Sequence, residues 1–217
     1  MKGKIRKNTT EHVDEKTTEH IAQQMTVTHI TAACKLKYLH AFEIEYMDKK
    51  GVTRKWELVS RQNIERLNAE IFESIKFSDG TMIFATNREK THVVLLREFR
   101  VSAGHDIYML PAGLSDGDEP IEITSVREFK EETGMNFEYV SKAPPRYTSV
   151  GIINERVEIA FGYYSGEPST VFQSDNESAE ILFVDCDMAK QILQNEDVSV
   201  RSALLLEHFF NLNDFFI

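Results

Sequence analysis

The chain of 217 residues is 41% hydrophobic and 28% charged, the balance of a globular protein with a packed core. No apolar run approaches the ~20 residues that a membrane-spanning helix needs, and the basic start Met1–Lys7 is not followed by the apolar stretch of a secretory signal. The net charge of −10 opposes non-specific binding to nucleic acid or an anionic membrane, so we expect neither partner. Cys34 and Cys186 lack metal-ligand spacing, and we expect two reduced thiols in a cytoplasmic protein, with a single disulfide as the alternative.

The N-terminal part divides into a polar stretch and a β-rich stretch. Residues 1–33 are rich in Thr, Glu, His and Lys, with weak helical periodicity, which indicates an arm or a short helix outside the main fold. Apolar positions alternate in Lys35–Tyr46, a glycine turn follows, and Val52–Ser60 reads as a second strand. Residues 35–60 are therefore predicted to form an antiparallel hairpin. Arg61–Lys76 has the spacing of a short amphipathic helix.

The remaining chain mixes strands and helices without regular βαβ alternation. Strands are predicted at 81–86, 92–99, 107–110, 137–142, 157–164 and 179–184, and helices at 119–133, 187–195 and 200–212. The residues Leu110–Gly113 are predicted to break the β-rich block. This order favours an α+β or mixed α/β sandwich.

The helix predicted at 119–133 has clear boundary signals. Asp118 is placed to cap its N-terminus, Pro120 suits its first turn, and Gly134 is suited to a left-handed stop. Ile123, Val126 and Phe129 share one arc and are predicted to pack the helix against the fold.

Three carboxylates, those of Glu128, Glu131 and Glu132, share an arc of roughly 100° on this helix. Like charges at this spacing repel, and a cation among them relieves the repulsion. Hard oxygen donors without His or Cys select Mg²⁺, Mn²⁺ or Ca²⁺ over zinc. Arg127 precedes Glu131 by four residues and can hold that carboxylate in place. The alternative for a bare E-x-x-E-E pattern is a solvated acidic face.

The full pattern is longer than these glutamates. Gly113 is followed after five residues by Glu119, and after seven more by Arg-Glu-Phe-Lys-Glu-Glu-Thr-Gly-Met over residues 127–135. This stretch resembles the Nudix box at every fixed position. The resemblance implies an α/β/α sandwich with a mixed sheet, in which the box forms a loop–helix–loop.

The resemblance also implies a metal site and a reaction. Two or three divalent ions, Mg²⁺ with Mn²⁺ as the alternative, are expected on Glu128, Glu132 and the carbonyl of Ala112, with Glu131 as a further ligand held directly or through water. Such ions screen a diphosphate and lower the pKa of water for in-line attack on phosphorus.

Motifs outside the box resemble the ADP-ribose (ADP-sugar) pyrophosphatase branch of this superfamily. They comprise Lys37–Leu39, Tyr46–Asp48, Thr53–Glu57, Leu96–Arg100 and Leu110–Leu114. In that branch the N-terminal hairpin helps form a homodimer, and its aromatic side chains stack on the adenine. The resemblance therefore implies a hairpin unit for dimerisation and adenine binding over 34–78 and the Nudix hydrolase domain over 79–217, preceded by the arm or short helix that the composition indicates over 1–33.

Substrate-binding residues are expected on these motifs. Tyr38 and Trp56 fall at the adenine-stacking positions, and packing in the hairpin or dimer core is the alternative for both. Arg61 and Arg100 can meet phosphate or ribose oxygens, since a guanidinium fork matches them. Leu114, which follows the matched Leu-Pro-Ala-Gly, is expected to contact substrate as well.

The general base is expected in the polar loop at residues 174–180. Glu177 aligns best with the catalytic glutamate of the branch, Asp175 and Glu180 are the fallbacks, and a solvated loop is the alternative. Two departures bear on substrate choice. Val150 stands where the branch often has proline, and Met109 stands where a glutamate commonly precedes Leu-Pro-Ala-Gly.

Three functions follow from these expectations. The first is hydrolysis of ADP-ribose to AMP and ribose 5-phosphate by a homodimeric enzyme. The second keeps the chemistry but changes the substrate to another nucleoside-diphosphate sugar or a dinucleotide. The third, a nucleotide sensor without catalysis, is disfavoured because the box is intact.

Overall fold

The computed structural model describes residues 25–117, 119–173 and 179–212. Its ten strands and four helices, within those ranges, run in the order β1 (Thr26–Lys35), β2 (His40–Met47), β3 (Thr53–Ser60), α1 (Ile64–Phe72), β4 (Gly80–Thr86), β5 (Val93–Arg100), β6 (His105–Met109), β7 (Ala112–Leu114), α2 (Ile121–Thr133), β8 (Asn136–Ser149), β9 (Ile153–Ser165), β10 (Ala179–Val184), α3 (Cys186–Asn195) and α4 (Val200–Phe210). In the described ranges, each helix is too short or too polar to cross a bilayer. Cys34 and Cys186 are not bonded to each other.

The N-terminal unit is a three-stranded antiparallel sheet rather than a hairpin alone. β2 and β3 form the predicted hairpin, with Ile44 opposite Trp56. The prediction of an arm or short helix was wrong for residues 26–33, which belong to β1 and pair with β2. Ile30 is buried, but most other side chains of β1 are exposed, so the sequence has little apolar periodicity. Hydrogen bonding to β2, together with the packing of Ile30 in the core of the unit, holds this strand.

Two cores on opposite faces of the sheet confirm the α/β/α sandwich. Ile83 and Ala85 of β4 pack in the core that includes Phe129 of α2. Their neighbours Met82 and Phe84 point the other way, into the core formed with α3 and α4. β4 is buried along its whole length, as expected for a strand covered on both faces.

The strand order is β1-β2-β3-β9-β4-β5-β10, with β6 on β5, β7 on β4 and β8 on β9. β9 runs parallel to β3 and β4, whereas the other pairs are antiparallel, so the sheet is mixed. β8 and β9 extend well beyond the predicted 137–142 and 157–164. β8 passes through prolines at 144 and 145 with a register shift, and this interruption hid its length in the sequence.

A buried polar network joins the N-terminal unit to the central sheet. The carboxylate of Asp79 accepts hydrogen bonds from Gln62 Nε2 (3.0 Å), Arg66 Nη2 (3.0 Å) and the backbone N–H of Arg156 (2.8 Å). The Arg66 guanidinium also lies over the ring of Phe77. Asp79 thereby fixes α1 and β9 against the start of β4.

Replacing Asp79 with alanine is expected to lower the free energy of unfolding by about 3 kcal/mol. The half-buried Arg66 loses its 3.0 Å carboxylate contact and is left with Glu70 at 3.5 Å, and the backbone N–H of Arg156 loses its acceptor. Urea unfolding measures this change. Asp187→Ala is the matched control, since Asp187 is exposed and pairs with Lys190, which is also on the surface. We expect this variant to lose less than about 1 kcal/mol of unfolding free energy. Equal losses in the two variants would contradict the role given to Asp79.

Candidate active site

Helix α2 carries the glutamate cluster, and its boundaries differ slightly from the prediction. It begins at Ile121 with Pro120 as N-cap, which makes no side-chain cap hydrogen bond. The predicted cap, Asp118, lies outside the described residues. Gly134 ends the helix with φ of 70°, as predicted, and its N–H donates to Lys130 O.

The packed face of α2 is rotated relative to the prediction. Ile123 and Val126 were predicted to pack, but they are 57% and 42% exposed. Phe129 is fully buried, and the other buried positions of the helix lie at helical spacing before and after it: Ile121, Thr124, Ser125 and Thr133. This rotation places Glu128 and Glu132 at the edge of the packed face and leaves Glu131 on the exposed side.

The half-buried glutamates meet strand β7. Glu132 Oε2 accepts a hydrogen bond from the backbone N–H of Ala112 at 3.0 Å. The carboxyl group of Glu128 lies against Gly113 so closely that a Cβ on residue 113 would overlap it. Two carboxylates of one helix are therefore brought to two consecutive residues of β7.

Arg127 donates hydrogen bonds to three carboxylates of the box. Its Nη1 donates to Glu128 Oε1 at 2.9 Å and to Glu131 Oε2 at 3.4 Å. Its Nη2 donates to Glu119 Oε2 at 2.9 Å and to the carbonyl of Leu114 at 3.3 Å. Arg127 does contact Glu131, as predicted, but its shorter bonds are to Glu119 and Glu128.

These contacts shift the ionisation of the cluster. Hydrogen bonds from Arg127 and Thr124 hold the pKa of Glu119 below its usual value. Burial raises the pKa of Glu128, and the hydrogen bond from Arg127 opposes that rise. The hydrogen bond to Glu119 raises the pKa of Arg127.

The donor set suits a hard divalent cation. Glu128, Glu132 and Ala112 offer oxygen atoms only, the donors that Mg²⁺ and Mn²⁺ prefer. Gly113 provides the room in which the Glu128 carboxylate reaches β7. Within the described ranges, no group of three or more acidic, His or Cys side chains has the arrangement of a metal site. Arg127 instead holds Glu131 at the rim, where its side chain is 51% exposed.

A cavity of about 220 Å³ opens beside β7. Four residues expected in the site line it: Arg61, Arg100, Ala112 and Leu114. Arg61 Nε donates to Glu155 Oε1 at 2.8 Å. Ala112 is thus shared between this cavity and the glutamate cluster.

The aromatic residues and the base candidates lie elsewhere. Tyr38 and Trp56 are 69% and 49% exposed on the N-terminal unit and do not line this cavity. Glu177 and Asp175 lie outside the described residues. Glu180, the second fallback, is on β10 with its carboxylate 3.6 Å from Arg97 Nη1.

Sequence reasoning did not identify three residues that α4 and its N-cap bring to the cavity: Ser199, Arg201 and Ser202. They are 85 or more positions beyond Leu114, so spacing alone does not connect them to the box. The available signal was local: a serine N-cap followed by an arginine in the first turn of a predicted helix.

Comparisons with known proteins identify the family of this chain. The sequence model of the NUDIX domain matches residues 76–206. The chain therefore belongs to the NUDIX domain family and is a pyrophosphohydrolase of that family.

Two relatives and one solved structure illustrate the similarity. The ADP-ribose pyrophosphatase of Saccharomyces cerevisiae is 25% identical over 172 residues, which cover 76% of this chain and 71% of the relative. The GDP-mannose pyrophosphatase of Salmonella arizonae is 30% identical over 177 residues, covering 77% and 90%. The crystal structure of an ADP compounds hydrolase superposes with a TM-score of 0.62 at 18% identity, covering 86% of this chain and 93% of that one, and so supports the fold.

The lowered pKa of Glu119 predicts how acid affects the site. Because the folded-state pKa is lowered, the stabilisation by Glu119 is fully present above the unfolded-state pKa and is lost as the pH falls through the folded-state value. Glu119→Gln should therefore lower the melting temperature most at neutral pH. The effect should become smaller as the pH falls well below 4.5, the usual pKa of a glutamate. Thermal unfolding across this range tests it, with the exposed Glu167→Gln as control. A difference in melting temperature between Glu119→Gln and the wild type that does not depend on pH would contradict the pairing of Glu119 with Arg127.

Proposed function

We propose that this enzyme hydrolyses the diphosphate bond of ADP-ribose with Mg²⁺, releasing AMP and ribose 5-phosphate. The coarser class, hydrolysis of nucleoside-diphosphate sugars, fits the relatives that are named ADP-ribose and GDP-mannose pyrophosphatases. The observation that carries the proposal is the meeting of Glu128 and Glu132 with β7 beside an arginine-lined cavity.

The residues that would hold the metal are Glu128, Glu132 and the carbonyl of Ala112, with Glu131 as a further ligand. The chemistry such an ion supplies when bound is screening of phosphate charge and activation of water. Mn²⁺ is the alternative ion, because it shares the preference for oxygen donors.

The arginines of the site have two different roles. Arg127 holds Glu128 and the flanking carboxylates in position, which is the role we assign to it. Arg61 and Arg100 line the cavity and can donate to phosphate or ribose oxygens. Leu114 forms an apolar part of the same wall.

Glu177 is the proposed general base. Support comes from the described residues on either side of its segment. Gln173 Nε2 donates to the carbonyl of Glu132 at 2.8 Å and to that of Ala179 at 3.2 Å. Both flanks are therefore connected to the end of α2 that carries the proposed metal ligands. The pairing of Glu180 with Arg97 makes it the weaker candidate.

Tyr38 and Trp56 are proposed to stack on the adenine, and the N-terminal unit to form a homodimer. The support is their exposure together with that of Leu36, since aromatic and aliphatic side chains left in solvent favour a ligand or a partner surface. The unpaired Cys34 and Cys186 are consistent with a reducing compartment, and we propose the cytoplasm.

GDP-mannose is the second candidate substrate. A relative with that activity in its name reaches 30% identity and is covered over 90% of its length. The two substrates share the diphosphate and differ in base and sugar, so the box residues do not discriminate between them.

The decisive assay is nucleotide release from ADP-ribose and from GDP-mannose with Mg²⁺. We expect the higher kcat/KM with ADP-ribose, and a loss of at least about 100-fold in Glu132→Gln because a carboxylate ligand is removed. Glu122→Gln is the matched control, since Glu122 is an exposed glutamate on the same helix. A higher kcat/KM with GDP-mannose would make GDP-mannose, and not ADP-ribose, the preferred substrate. Binding without turnover would indicate a sensor, and neither binding nor turnover would place the substrate outside this class.

Gly113→Ala tests the contact between α2 and β7. The added Cβ overlaps the Glu128 carboxyl group, whose three atoms are the nearest to it, so the Glu128 side chain must move. We expect kcat to fall by at least about tenfold, with the melting temperature close to that of the wild type. Gly151→Ala is the control, because a Cβ there meets nothing within 4 Å. Full activity of Gly113→Ala would show that the position of Glu128 is not critical.

A further inference from the structure

The start of α4 is held rigidly at the arginine-lined cavity. The N–H of Ser199, its N-cap, donates to the carbonyl of Tyr108 at 3.0 Å. The N–H of Leu110 donates to Ser202 Oγ at 2.9 Å, and Ser199 Oγ donates to the same Ser202 oxygen at 2.7 Å. Ser202 is 1% exposed. Position 201, between these anchors, is therefore fixed relative to the chain that enters β7.

Arg201 differs from the other two arginines of the cavity. Arg61 is paired with Glu155, and Arg100 Nη1 donates to Glu98 Oε1 at 2.8 Å. The Arg201 guanidinium makes no hydrogen bond, ion pair or ring contact with any residue in the described ranges. It contributes a charge that no carboxylate of the described chain neutralises.

The cavity keeps one unneutralised positive charge although the chain as a whole is negative. Of the three arginines that line it, Arg61 is paired with Glu155 and Arg100 with Glu98, so the positive charge that remains among the described residues is that of Arg201, whereas the net charge of the chain is −10. The first turn of α4 contains no acidic residue, so nothing there offsets the cation beside the positive end of the helix dipole. An anionic ligand can therefore pair with this guanidinium without displacing a carboxylate of the described chain.

We propose that Arg201 is a substrate-binding residue that donates to phosphate oxygens, and that it completes with Arg61 and Arg100 a diphosphate-binding cavity. This inference rests on the proposed function, because the diphosphate is that of the nucleotide sugar. A cavity of about 220 Å³ has room for the two phosphate groups of a diphosphate. A planar guanidinium offers the paired donors that phosphate oxygens accept.

The test is a calorimetric titration of the full chain with inorganic pyrophosphate in the presence of EDTA, so that neither metal nor catalysis contributes. We expect the wild type to bind, and Arg201→Gln to weaken binding by about tenfold, because a charge-assisted hydrogen bond is lost. Arg201→Lys should weaken it less, since the charge stays and the fork is lost. Arg88→Gln, which removes a surface arginine paired with Glu138, is the matched control.

Several outcomes would overturn the inference. They are the absence of pyrophosphate binding by the wild type, equal binding by wild type and Arg201→Gln, and an equal loss in Arg88→Gln, which would indicate net charge alone. Steady-state kinetics with ADP-ribose adds a second readout, in which we expect a higher KM with kcat nearly unchanged. If the wild type binds pyrophosphate through Arg201 but hydrolyses no nucleotide sugar, the proposed function fails while the anion site stands.

Discussion

The close approach of α2 to the short strand β7 is the constraint on which the site depends. It requires a residue without a side chain at position 113, because the Glu128 carboxyl group occupies the space that a Cβ would fill. The same approach lets Glu132 accept the N–H of Ala112. Phe129 of the same helix packs in the core with Ile83 and Ala85 of β4, the strand that pairs with β7, so one helix contributes both to the core and to the carboxylate cluster.

Charge is separated over a short span of the molecule. Next to β7, Arg127 is surrounded by the carboxylates of Glu119, Glu128 and Glu131. In the cavity that residues of β7 also line, arginines outnumber carboxylates. An acidic cluster suited to a cation therefore adjoins a basic cavity suited to an anion, and β7 is their common boundary. That arrangement fits a ligand that brings a divalent ion and a diphosphate together.

The N-terminal unit depends on the central sheet through buried polar contacts as well as through strand pairing. Asp79 links α1 to β9, and Arg156 Nη1 donates to the carbonyl of Phe77 at 3.1 Å. Such a network is directional, so it fixes the orientation of the unit more strictly than apolar packing alone. Arg61, which follows β3, reaches the cavity from that unit and pairs with Glu155 of β9.

The sequence by itself determined the box, the existence of α2 and its stop at Gly134, the sandwich class and most strands, because these follow from local periodicity and fixed spacing. It did not determine β1, whose pairing with β2 supplies what its polar sequence lacks, or the rotation of α2 that exposes Ile123. Only the tertiary structure brought Arg201 to the cavity, since residues distant in sequence become neighbours through the packing of α4 on the sheet. The spacing of residues in the sequence is enough to predict which side chains share one face of a helix. A cavity wall is formed by several elements, and long-range packing decides their relative positions.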